Sequence, residues 1–498
     1  MELVIGIDIG TASTKGVLAD PGSGGEIVTV TRREHSMDLP GGARAQMDAD
    51  AVWWRDTIDI LGELGRAAQA QGARVAGICI SGMGPCVVQA DADLVPRAPA
   101  VLYGIDGRAA EQIDWMNELL GAEVILRRCG KELSSQAVGP KLRWLIDHTD
   151  GRPDDRWYGC HTYVLARLGG RWVLDHHTAS QCDPLYDINT QDWATDLAER
   201  VLPGTPLPEL VWPGEQVGEL SGEAAGATGL RAGIPLLSGT VDAWAEAFSA
   251  GARKPGDLML MYGSTMFFVQ VLDGLRGGGQ VPVRPGLWTT SGIERDTHTL
   301  AAGMSTSGTL TQWVQQLTGD APFETLIEEA GHTPPGAEGL VTLPYFSGER
   351  SPIYDPQSRG LMLGLTLRHT RGHIFRSVYE GIACGVRQIA ETLSAADAPA
   401  KRVFAVGGGT QAQLWTQIVS DVTGLEQVVP ATTVGAAYGD CLLAAIGVAL
   451  VPPETDWAVA DQVVRPNREH RQTYQKIFEI YDSLYPATRA QMHALAEI

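Results

Sequence analysis

Cysteine is scarce in this chain and never clustered. Seven cysteines stand at 79, 86, 129, 160, 182, 384 and 441, with no CxxC pair among them. That spacing argues against a zinc knot or a disulfide framework and suits small buried thiols in a reducing compartment. Long apolar runs are missing too: nothing approaches the roughly 20 apolar residues that span a bilayer. Residues 1–8, MELVIGID, lack the basic start and long apolar stretch of a secretion signal and read as a strand. The expected location is therefore cytoplasmic, with no membrane partner. Positive charge is in deficit, since 38 Lys and Arg against 59 Asp and Glu leave a formal net charge of -21. No basic stripe interrupts that balance, which argues against a nucleic-acid partner. Low-complexity segments are absent, and the Gly/Pro-dense stretch 273–286 reads as loop. The GxxxxGK[ST] pattern is also absent, which removes a Walker A phosphate loop.

What is present fits a large folded enzyme. At 498 residues the chain is too long for one ordinary core, and two domains, 1–245 and 246–498, are expected. Hydrophobic residues make up 44% and charged residues 19%, as in folded globular proteins. Apolar strands alternate with amphipathic helices, so the fold class is α/β. The chain opens with strand–turn–strand rather than strand–loop–helix. At the first turn stand Asp8, Thr11, Ser13, Thr14 and Lys15. One carboxylate, three hydroxyls and a lysine at a strand end suit phosphate plus a divalent cation, with Asp8 holding Mg²⁺ directly or through water.

A second such turn, Gly263, Ser264 and Thr265, follows another apolar strand and could donate to phosphate oxygens. Two phosphate-type turns suggest an ATP-dependent phosphotransferase built from two related halves. Asp242 ends a strand and starts a helix. A carboxylate there could take the proton of an attacking hydroxyl, or simply favour the helix N-terminus. Gly407, Gly408 and Gly409 end a buried strand, where they would admit a flat base or ribose, or relieve a crowded turn. Met83, Gly84, Asp106 and Arg108 follow first-half strands and could form a polyol site, whereas Asp106 and Arg108 could equally cap an exposed turn. His161, His176 and His177 lack a third ligand at metal spacing and read as structural.

Taken together, these segments resemble the FGGY carbohydrate kinase family of the actin-like ATPase superfamily, along essentially the whole chain. The resemblance is carried by the loop from Asp8 to Gly16, by Gly239 to Asp242, and by Tyr262 to Thr265. It is most specific from Gly348, Glu349, Arg350, Ser351 and Pro352 through Asp355, Pro356, Arg359, Gly360, Gly364 and Leu365 to His369, Arg376, Glu380 and Gly381. Gly407 to Gly409, Trp415, Asp421 and Gly435 to Ala437 complete it.

The resemblance implies two ribonuclease H-like domains, each with a mixed five-stranded sheet, and a cleft holding a sugar or polyol on the first side and MgATP on the second. It implies Asp242 as general base and as a second carboxylate on the metal, and Asp8 as the Mg²⁺ residue. Thr11, Ser13, Thr14 and Lys15 would meet the transferred phosphate. Gly263, Ser264 and Thr265 would hold ATP phosphates. Ser305, Thr306, Gly308, Gly408, Gly409 and Gln411 would approach the nucleotide, and Met83, Gly84, Asp106, Arg108 and Asp242 the sugar. The segment 348–352 is expected to shape the cleft rather than to act in catalysis.

Ser81, Gly82 and Met83 followed by Ile105, Asp106, Gly107 and Arg108 most resemble the xylulokinase-like members, which implies D-xylulose as substrate and D-xylulose 5-phosphate as product. Two positions depart from that pattern: Gly84 stands where His is usual, and Ala243 where Asn is usual. Loss of hydroxyl partners shifts specificity, so ribulose, a deoxyketose, erythritol, xylitol or glycerol stay open, and beyond them a non-kinase actin-like ATPase or a degenerate sugar- or nucleotide-binding protein. Homodimers are common among such enzymes, but no interface patch is legible in the sequence.

Overall fold

A computed structural model describes residues 1–152, 155–274, 281, 283–396, 398–432 and 434–498. Half of the Gly/Pro-dense stretch 273–286 expected as loop lies outside the described residues. The first half is built on β1 (Glu2–Ile9), β2 (Ser13–Asp20), β3 (Glu26–Glu34), α1 (Arg55–Ala70), β4 (Arg74–Gly82), β5 (Gln216–Glu219), β6 (Pro235–Val241) and α2 (Asp242–Ser249). Its sheet runs β5-β6-β4-β1-β2-β3. β1 is antiparallel to β2 and parallel to β4, and β4 is parallel to β6. Leu3, Val4, Ile5, Ile7 and Ile9 are all fully buried, the continuous apolar run expected of a central strand covered on both faces. Asp48 caps the helical turn that leads into α1 by accepting from the Asp50 and Ala51 amides.

The second half repeats the plan with β7 (Asp257–Tyr262), β8 (Met266–Asp273), β9 (Trp288–Ser291), β10 (Thr297–Met304), α3 (Gly308–Leu317), α4 (Arg371–Ala395), β11 (Arg402–Val406), α5 (Gln413–Thr423), β12 (Gln427–Pro430), α6 (Ala436–Gly447), β13 (Ala460–Val464) and α7 (Arg471–Ala496). The sheet order is β9-β10-β8-β7-β11-β12-β13. β3-β2-β1-β4-β6 and β10-β8-β7-β11-β12 are therefore the same five-strand arrangement used twice. The expected five-stranded sheets are extended to six and seven strands by β5, β9 and β13. These strands have only four or five residues each, so their sequences carry little alternation to read.

α6 belongs to the second half of the chain but packs on the first sheet. Ala437, Cys441, Leu442 and Ala444 share an apolar core with Val4, Val17, Cys79 and Leu237. The approach depends on glycine: a Cβ at Gly6 would lie 2.0 Å from the Ala437 carbonyl oxygen and 2.6 Å from the Cys441 nitrogen. No helix among the described residues is long and apolar enough to cross a membrane.

Candidate active site

The carboxyl ends of β1, β4 and β6 face the second half across a cavity of about 360 Å³. Asp8 enters from the penultimate position of β1. Asp242 enters because β6 is irregular just before it: the register with β4 shifts between Ser238 and Val241, and the chain then turns into α2. Glu246, one helical turn beyond Asp242, lines the same cavity. Three carboxylates thus share one partly closed space.

Their proton affinities reflect this. Burial, and then the charge of Asp8, push Asp242 up to about 8. Burial raises Asp8 to about 6 against the pull of Lys15. Glu246 rises to about 7 by burial and the Asp8 charge, again opposed by Lys15. All three are therefore above their unfolded values. They favour the folded state most below about pH 4, and that contribution is lost as pH rises through about 6 to 8. The ligand-free protein is expected to lose thermal stability between about pH 4 and 8, followed by differential scanning fluorimetry. A base that must be deprotonated gives activity the opposite slope over the same interval.

The expected site residues fall into two groups. Asp8, Asp242, Gly84 and Thr265 line the cavity. Lys15 spans from β2 to the chain ahead of α6, donating from Nζ to the Val434 carbonyl at 2.9 Å. Thr11 Oγ1 meets the hydroxyl of Tyr103, a cavity residue, at 3.0 Å. Ser13 closes the first turn by accepting from the Gly10 amide. Gly263 and Ser264 receive the α3 N-terminus, with Gly308 N donating to Gly263 O at 3.0 Å and Ser307 N to Ser264 O at 3.1 Å. Ser305 N donates to Glu349 Oε1 at 2.7 Å. A Cβ at Gly408 would point into open space, and Gln411 is exposed.

The others are engaged in packing. Thr14 is buried and donates to Asp56 at 3.2 Å, towards α1 and away from the cavity. Met83 belongs to the first-half core. Thr306 is buried and donates to the Pro344 carbonyl. Gly409 makes room for Trp415 and Tyr262, whose atoms would lie 2.7 and 2.9 Å from a Cβ there.

Asp106 is fully buried, accepts from Ala45 N at 2.6 Å, and forms a forked ion pair with Arg108. That pair holds the 103–108 turn rather than presenting free groups to a polyol. Asp106→Ala is expected to lower the melting temperature by leaving Arg108 unpaired, while the KM values for sugar and ATP change by similar factors. A selective rise in sugar KM would place Asp106 in the binding site. The histidines are structural, with His161 on Asp175 at 3.0 Å and His177 on the Ser291 carbonyl at 2.7 Å.

Several cavity residues were not foreseen. Glu246 had a readable signal, because it lies four residues beyond Asp242 on one helix face. Arg350 sits in the segment expected to shape the cleft, and it does line the cavity, donating to the Met304 carbonyl at 2.6 Å. Tyr103, Gln136 and Trp288 come from loops or edges whose positions depend on tertiary contacts. Arg350, Tyr103, Gln136 and Trp288 also border an outer chamber of about 380 Å³, so the two spaces adjoin.

The residues present fit a magnesium ion. Asp8 Oδ1 is buried with no hydrogen-bond partner among the described residues, an arrangement that costs energy unless a ligand completes it. No cluster of three acidic, histidine or cysteine ligands at metal spacing occurs among the described residues. Phosphate and water oxygens would have to complete the shell, as is usual for Mg²⁺ in phosphoryl transfer.

Comparison with known proteins agrees with this architecture. The model of the N-terminal domain of the FGGY family of carbohydrate kinases matches residues 3–249, and that of the C-terminal domain matches residues 275–448. The chain is 24% identical over 498 residues to the xylulose kinase of Bacillus subtilis (strain 168), covering 98% of each. It is 28% identical over 491 residues to the glycerol kinase of Nocardia farcinica (strain IFM 10152), covering 93% of this chain and 94% of that one. The crystal structure of xylulose kinase from Rhodospirillum rubrum superposes with a TM-score of 0.89 at 27% identity, over 99% of this chain and 100% of that one.

Proposed function

For a chain that belongs to the FGGY family of carbohydrate kinases, we propose transfer of the γ-phosphoryl group of ATP to a hydroxyl of a ketopentose, with D-xylulose as first candidate and Asp242 as general base. The observation that carries this reading is the placement of Asp242 and Asp8 on one cavity enclosed by both halves. Asp242 takes the hydroxyl proton as the oxygen bonds to phosphorus. The bond from the γ-phosphorus to the bridging oxygen breaks, and ADP leaves. A magnesium ion held by Asp8, with Asp242 near it, would neutralise phosphate charge. Lys15 adds positive charge beside Asp8, and Thr265 faces the same space from the second half. Closure of the halves around both substrates would keep water from competing for the phosphoryl group.

The adjoining outer chamber gives the far end of a five-carbon chain room, with Gln136 and Arg350 at the junction. A deoxyketose or smaller polyol is a second reading, favoured by the walls themselves. A Cβ at Gly84 would lie 2.9 Å from Val241, leaving no space for a polar side chain there, and the Ala243 side chain offers no hydrogen bond. Trp244, Phe267 and Trp288 add apolar surface.

ADP release should be measured with Mg²⁺ and ATP across D-xylulose, other ketopentoses, deoxyketoses, xylitol, erythritol and glycerol, with a sugar-free blank. Stimulation by D-xylulose above all others supports the first reading. A deoxyketose or small polyol in first place replaces it. Release that no acceptor stimulates counts against acceptor phosphorylation altogether.

A further inference from the structure

We propose that Asp440 is a positioning residue for Asp242, acting through Ser81 and Thr240 across the boundary between the two halves. The inference rests on Asp242 being the base. β6 leaves its regular register at Gly239 and Thr240, and that irregularity throws Asp242 into the cavity. Such a break strands backbone groups that the ladder would have paired. Here the Thr240 amide donates to Ser81 Oγ at 2.9 Å. Ser81 sits at the end of β4 and is fully buried. Gly239 makes the approach possible, since a Cβ there would lie 2.4 Å from Ser81 Oγ and 2.3 Å from the Ile80 carbonyl oxygen.

Ser81 is itself held by Asp440. Asp440 Oδ2 accepts the Ser81 amide at 3.1 Å, and Oδ1 shares a short hydrogen bond with Ser81 Oγ. Asp440 is fully buried and lies on α6. The other side of Thr240 is fixed as well, its hydroxyl donating to Asp175 at 2.8 Å. The segment carrying the base is therefore clamped two residues upstream of Asp242 by two buried carboxylates. One of them comes from the first residues of the helix that begins at Ala436, a cavity residue. A shift of α6 when the cavity fills would be passed to the base through two hydrogen bonds.

Burial pushes the Asp440 carboxyl well above the ordinary carboxylate range. The Ser81 amide donates to Oδ2 and the Ser81 hydroxyl to Oδ1, so the carboxyl accepts at both oxygens, and asparagine keeps the size but only one of the two acceptors.

The test compares kcat and KM for Ser81→Ala, Asp440→Ala, Asp440→Asn, the Ser81→Ala/Asp440→Ala double variant and Asp242→Asn, each first shown to be folded by its melting transition. Both alanine variants should lose about 10–100-fold in kcat, with KM for ATP and sugar changed less than threefold. The double variant should lose no more than either single one, because both remove the same link. Asp440→Asn, which keeps one acceptor towards Ser81, should have a kcat between those of Asp440→Ala and the unaltered enzyme. Near-normal kcat in folded Ser81→Ala, or losses that multiply in the double variant, would overturn the link even when Asp242→Asn is inactive. A fully active Asp242→Asn would overturn the base assignment and this positioning role together. If alanine at 440 prevents folding, Ser81→Ala and Asp440→Asn alone decide the question.

Discussion

Asp242→Asn is expected to lower kcat by about 10²–10⁴-fold, the usual contribution of a positioned general base. Asparagine has nearly the same volume and keeps an oxygen for the bond now made with the Ala243 amide at 2.7 Å. The cavity keeps its shape, so KM for ATP should stay within about threefold. The substitution also removes one of three carboxylates from a crowded site. Burial and the Asp8 charge raise Asp242 to about 8 in the ligand-free protein, so kcat/KM of the unaltered enzyme, which reports the free enzyme's base, should climb as pH rises towards that value and then level. The residual rate of the variant should lose that climb. A kcat near normal, or an unchanged pH profile, would remove Asp242 from the role of base.

The largest effect on the fold is expected from Gly6→Val. β1 and α6 meet backbone to backbone at this position, and the nearest atoms to an added Cβ are a carbonyl oxygen at 2.0 Å and an amide nitrogen at 2.6 Å. Neither belongs to a flexible side chain that could swing away. The helix would have to lift off the first sheet, breaking its shared core with Val4, Val17 and Leu237 and drawing Asp440 away from Ser81. Overpacking in a tight core costs about 1–3 kcal/mol and more where backbone must move; here it should leave little soluble folded protein. Gly22, in an exposed turn, is the control, because the nearest atom to its added Cβ is an Asp20 carboxylate oxygen at 3.2 Å. Soluble yield and melting temperature compared between Gly6→Val and Gly22→Ala would check this, and a Gly6→Val protein melting within a few degrees of the parent would refute it.

Local chemistry made part of this molecule legible and tertiary contact concealed the rest. The two strand–turn–strand openings and the Asp8 and Asp242 strand ends could be read because each has a short-range signature: apolar strands and turn residues. The edge strands could not, since Gln216–Glu219 and Trp288–Ser291 are too short to show alternation. Nor was the destination of α6 visible. Its residues are small and apolar on nearly every face, so the pattern shows that it is buried without showing against which sheet. At the site, Thr14 and Asp106 have the chemistry of ligand contacts, but Asp56 and Arg108 occupy them. Nothing in the local sequence marks Asp56, 42 residues from Thr14, whereas Arg108 stands two residues from Asp106 and the capped-turn reading already paired them, though Asp106 is buried rather than in an exposed turn. Arg350 shows the converse: its segment was read for shape alone, and its guanidinium also reaches the cavity wall.

The seat of α6 on the first sheet bears on how the chain is made. The first sheet can pair its strands once β6 has been synthesised, but one of its apolar faces stays bare until residue 447 emerges. At about 5–20 residues per second, that interval is roughly 10–40 s. Through it, Val4, Val17, Cys79 and Leu237 would face the surrounding solution without their native cover. The nascent first half is thus a sticky intermediate by construction, whose maturation waits on the arrival of a helix from the far end of the second.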